Sequence, residues 1–165
     1  MKRRWSKVIL AVLLAAALAA GLYFLPLPVR VNVTREGWLM SAQGEVLADD
    51  VAVTLTGWEL RYLFRSDGME VEVSASSETE ERANASWEPQ ACALITNEDW
   101  SVCSGMVYDA QRNEFLLLSW VYTGDFDALR LDWEGETDGA YWLAGTASDP
   151  STVESALERS GATAA

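Results

Sequence analysis

Eighteen consecutive uncharged residues, Val8 to Leu25, follow a cluster of four cations at Lys2, Arg3, Arg4 and Lys7, and no lysine occurs after Lys7. A basic stretch feeding an apolar helix enters a membrane with its N-terminus held on the cytoplasmic side. A spanning helix needs about 20 apolar residues, because the rise is about 1.5 Å per residue and the hydrocarbon layer is about 30 Å thick. The run fits that length. Ala17-Leu18-Ala19 also matches a small-x-small cleavage site, so the alternative is a removed signal and a secreted product. The apolar character continues past that site as Leu22-Tyr23-Phe24-Leu25, and Trp5 and Tyr23 bracket the segment as interfacial aromatics do. An uncleaved anchor over residues 1–29 is therefore the expectation, with Pro26 and Pro28 ending the helix.

Beyond the leader the charge reverses. Four of the 12 basic residues lie in the first seven positions, leaving 8 arginines against 25 acids, a net −17. Such a surface repels phosphate and anionic headgroups, which argues against nucleic acid as a partner and predicts a domain that stands off the bilayer rather than lying on it. The chain has no histidine. That removes Ser-His-Asp and Cys-His nucleophile pairs and ordinary zinc sites. No phosphate-loop, dinucleotide, nucleophile-elbow or zincin motif is present, and no enzyme activity is expected.

From Arg30 to residue 148 the hydrophobic period is two. Val29, Val31 and Val33 alternate with polar residues, as do Val51, Val53, Leu55 and Met69, Val71, Val73. The phase of the apolar pattern shifts after Gly57, predicting a bulge or bend there and a core position for Trp58 alongside Trp120. Turn signals fall at Gln43-Gly44 and Ser66-Asp67-Gly68, and residues 74–90 read as a long polar loop carrying Trp87. Phe115–Tyr122 is apolar on both faces, which suits a central strand covered on both sides. Asp149-Pro150-Ser151 opens a short helix ending at Gly161, with Val153, Ala156 and Leu157 as its apolar stripe, so 149–165 form a helix and tail. The sum predicts an all-β domain: an antiparallel sandwich or partly open barrel of about nine strands, with one membrane helix before it and a short helix after it.

Cys92 and Cys103 are the only cysteines. Outside the membrane the default is a bridge, and a hairpin turning at Asn97-Glu98 sets Cys92 directly opposite Cys103. Glu134, Glu136 and Asp138 follow the opening spacing of a calcium loop, but Gly145 stands where the closing glutamate belongs. Solvated acids around an Asp138-Gly139 turn are the plainer reading, and calcium is the only cofactor suggested. Asp125 and Asp127 are nearby in sequence. Trp87 and Trp100, beside acidic loops, are the rings expected to reach the surface and contact a protein or glycan. The resulting expectation is a membrane-anchored, extracytoplasmic domain of a bacterial envelope that binds or supports, with a carbohydrate-binding module as the alternative.

Overall fold

The computed structural model describes residues 2–109, 113–133 and 139–161. Helix α1 runs from Lys2 to Phe24, and its 23 residues extend about 34 Å. Its stretch Lys7–Phe24 has a mean hydropathy of 2.2 and none of it is buried against the rest of the chain. Only Leu25 and Pro26 separate it from the first strand.

The strands are β1 Leu27–Met40, β2 Val46–Arg61, β3 Gly68–Ser76, β4 Ala85–Thr96, β5 Ser101–Asp109, β6 Glu114–Thr123, β7 Ala128–Trp133 and β8 Tyr141–Gly145. Each pairs antiparallel with the next, and β1 pairs with β8 from Glu36↔Gly145 to Met40↔Tyr141, closing a barrel. The architecture is therefore a closed eight-stranded barrel rather than a sandwich or partly open barrel of about nine strands. The difference arises at two glycines. Gly37 and Gly57 lie inside β1 and β2 and do not break them. A Cβ on Gly37 would meet the backbone of Leu143 and Ala144, and one on Gly57 would overlap the Glu70 carbonyl and come within 2.7 Å of Val71 Cα. Each glycine lets a neighbouring strand approach, so long strands coil tightly enough to close. Register runs unbroken through Gly57 on both sides, so it is no bulge.

That unbroken register also keeps the inward set in phase. Val53, Leu55 and Gly57 face one way, while Trp58 points outward and is 47% exposed, contrary to the core position its sequence suggested. The interior is filled by side chains, as expected for eight strands. Leu55, Met69, Leu118, Trp120, Leu129 and Leu131 are among the side chains buried within it. Trp87, Trp133 and Trp142 fill the end away from α1, with ring centroids 4.3 to 6.4 Å apart. Among the described residues, Trp120 and Trp142 bury their indole nitrogens without a hydrogen-bond partner.

A second, smaller core lies outside the barrel. Helix α2, Pro150–Ser160, is capped by Asp149, whose carboxylate accepts from the Thr152 amide at 2.9 Å, and it ends at Gly161 in the left-handed region. Its Val153 and Leu157 cover Met40, Val121, Ala128, Tyr141 and Leu143. This helix covers the outer face of β6 at Val121. Farther along that strand Phe115 and Leu117 remain exposed on the same face, so β6 is covered on both sides over only part of its length.

Residues 74–90 are not one loop. β3 continues to Ser76 and β4 starts at Ala85, leaving Ser77–Asn84 with a 3-10 turn at Glu81–Ala83. Asp50 organises this segment. Its Oδ1 accepts from the Ser77 and Thr79 hydroxyls at 2.6 and 2.8 Å, and its Oδ2 accepts from the Glu78 and Thr79 amides at 2.7 and 3.0 Å. These bonds, the Ser77 hydroxyl foremost, pull the Asp50 carboxyl down to about 2.

Candidate functional site: the barrel end beside the leader helix

An up-and-down barrel sorts its loops between two ends. The start of β1, the end of β2 and the start of β3 share the end nearest α1 with the β4–β5 and β6–β7 turns. Leu27, the first residue of β1, pairs with Arg61, the last of β2. The β2–β3 loop, residues 62–67, therefore springs from directly beside the point where α1 feeds the sheet.

This loop is internally braced. Asp67 Oδ1 accepts from the Tyr62 amide at 2.7 Å, and its backbone carbonyl accepts from the Leu94 amide at 2.9 Å. The Arg65 guanidinium lies over the Tyr62 ring, 3.6 Å from its centroid. Arg61 Nε donates to Glu59 Oε1 at 2.7 Å, and this carboxylate is the main cause that holds the Arg61 guanidinium above its ordinary range. An open cavity of about 390 Å³ sits under the loop, lined by Leu60, Tyr62, Asp67, Met69, Cys92 and Ala93 among others. Deeper in the same end, burial pushes the Tyr122 phenol up to about 12, with a smaller contribution from Glu59. Phe126 stacks on Tyr122 at 4.2 Å, and Arg35 reaches across to donate to the Asp125 and Phe126 carbonyls. The tip of the loop is different: Leu63 and Phe64 project outward, 56% and 64% exposed. Chemically, the end offers a cation–aromatic pair, a satisfied ion pair and an unpartnered apolar tip.

The residues singled out by sequence are dispersed. Trp87 is 7% exposed inside the barrel, so the surface position expected for it is wrong: Ser86 and Glu88 point away while the ring packs on Trp142. Trp100 is half-buried and packs against the outer core under α2. Cys92 and Cys103 form the disulfide, with Cα atoms 6.2 Å apart. The register differs from expectation: Cys103 pairs with Leu94, and Thr96 with Ser101, so the turn holds four residues rather than two. Glu134, Glu136 and Asp138 lie outside the described residues, and among the described residues no three acids or cysteines are grouped to hold a metal. Asp125 and Asp127 stand at the opposite end of β7 from Trp133, about 20 Å along the strand.

Sequence reasoning missed Asp50, the Tyr62–Arg65 stack and the exposed Leu63-Phe64 tip. The last had a signal. Two large apolar residues stand shortly before the Ser66-Asp67-Gly68 turn, with only Arg65 between, where a turn alone needs none. Comparison with protein-family models, with curated proteins and with solved structures finds no match to this chain.

Proposed function

We propose that this protein is a membrane-tethered, extracytoplasmic β-barrel of a bacterial envelope, with a binding or supporting role rather than a catalytic one. The observation that carries the reading is the junction: a helix whose Lys7–Phe24 stretch is apolar and long enough to span passes into β1 through Leu25 and Pro26 alone. The cations in the first two turns of α1 favour a cytoplasmic N-terminus, and the disulfide suits an oxidising exterior. The filled interior favours recognition on the outer surface or at the barrel ends. The test is membrane fractionation with alkaline extraction, followed by protease treatment of intact cells or spheroplasts. Retention in the membrane with exterior cleavage of the barrel is expected. A soluble or cytoplasmically exposed barrel would overturn the reading.

The alternative, carbohydrate recognition, needs an exposed indole beside a carboxylate. Trp58, outward on β2 with Glu70 paired across from it, has that arrangement. Titration with oligosaccharides, read by tryptophan emission in the native chain and in Trp58→Ala, tests it. Binding that Trp58→Ala removes would support this alternative.

A further inference from the structure

Four loops or strand ends share the barrel end that α1 enters, and the start of β1 and the β2–β3 loop are the apolar ones. The β4–β5 turn is Asn97-Glu98-Asp99-Trp100, and the β6–β7 turn carries Asp125 and Asp127 with Phe126 buried. The β2–β3 loop instead presents Leu63 and Phe64, continuous through the Leu27↔Arg61 pair with exposed Leu27 and Val29. Its flanks hold three arginines, Arg65 over Tyr62, Arg30 exposed on β1 and Arg61 paired with Glu59, against the two carboxylates Glu59 and Asp67, a local net of +1. In a domain of net −17 this is a local reversal of sign.

Chain length fixes what the tip can reach. Leu27 lies three residues beyond Phe24, at most about 11 Å of chain, and Arg61 is directly across the ladder at about 5 Å. A bilayer's polar interface adds about 5–8 Å beyond each face of its hydrocarbon layer. A loop rooted so close to the helix exit falls at that depth.

We propose that the Leu63-Phe64 tip inserts into the extracytoplasmic interface of the bilayer that α1 spans, with Arg65 and Arg30 meeting lipid phosphates and the acidic turns facing water. The barrel thus sits on the membrane through a second, non-covalent foot. The proposal rests on the anchor reading above and adds the orientation of the barrel.

The test uses the full chain reconstituted in vesicles of phosphatidylethanolamine and phosphatidylglycerol containing nitroxide-labelled lipids. An environment-sensitive fluorophore is placed in turn at Phe64→Cys, at Leu13→Cys in α1, and at Gln43→Cys in the β1–β2 turn at the far end of the barrel. The native cysteines are bridged and buried, so labelling is selective. Loss of fluorescence at positions 64 and 13 but not 43 is the expected result. Quenching at 13 alone overturns the seated loop and leaves the anchor standing. Quenching at none of the three overturns both. A blue-shifted but unquenched label at 64 means that protein, a second copy or a partner, covers the tip, and the proposal fails. Equal quenching at 64 and 43 also sinks it.

Discussion

Cys103 lies across the β4–β5 ladder from Leu94, two residues beyond Cys92, yet it is bonded to Cys92 over a Cα separation of 6.2 Å. The bridge is diagonal. A slip of two residues preserves side-chain parity, so both sulfurs still point into the barrel. The register of the hairpin ends at Ala93↔Ser104, and the disulfide ties the strands at that last rung.

Reduction, or the double change Cys92→Ala and Cys103→Ala, should therefore lower unfolding free energy by about 2–3 kcal/mol, the chain-entropy value for so short a loop. Urea unfolding with and without reductant measures it. No change in midpoint would mean that the sheet alone holds β4 to β5.

The carboxyl of Asp50, drawn down to about 2, makes the Ser77–Asn84 segment sensitive to acid. A depressed carboxyl contributes fully above its unfolded value of about 3.9, and the contribution disappears as pH falls through the folded one. Amide signals of Ser77–Glu80 should thus hold steady down to about pH 3 and shift together with a midpoint near 2. In Asp50→Asn the same amides should lose protection at neutral pH and show no such step. A titration midpoint near 3.9 in the native chain would contradict the assignment.

Gly57→Ala places a methyl group on the Glu70 carbonyl, where the obstacle is backbone and cannot rotate aside. A loss of about 1–3 kcal/mol or more is expected from the overlap. Gly44→Ala is the useful contrast, because its site in the β1–β2 turn is open and only the positive φ opposes a side chain. Denaturation of the two variants should rank Gly57→Ala as the more damaging. The reverse order would show that β2 and β3 can move apart.

Leu157→Ala removes the side chain with which α2 grips the outer face of the barrel. The expected cost is about 2–4 kcal/mol. The near-ultraviolet dichroism of the Trp87, Trp133 and Trp142 cluster should persist, since that cluster belongs to the other core. Loss of both together would mean that the helix and barrel fold as one unit.

Much of the sheet is legible in period-two runs such as Met69-Val71-Val73, and α2 is legible in its cap, proline and terminal glycine. What local pattern cannot carry is contact between distant strands. Gly57 reads as a bulge or bend because the backbone that needs it, Glu70–Val71, is remote from it in the local pattern, and the need for Gly37 beside Leu143–Ala144 leaves no local signal at all. Trp87 reads as surface because its neighbours are polar, yet its burial is decided by Trp133 and Trp142. Turn length at Asn97 likewise depends on where β5 meets β6, not on the hairpin alone. The candidate site was the least legible part, because its identity comes from which loops share an end of the barrel.

The strand that continues from the leader is also the one that shuts the barrel. β1 meets β2 from Leu27 onward and β8 only at Glu36–Met40, its far portion. Traction on the leader would pull β1 lengthwise, loading its rungs to β2 side by side instead of opening them one at a time. A pull on α1 would thus meet the β1–β2 ladder in shear, and the seam with β8 is the last place such a load would arrive.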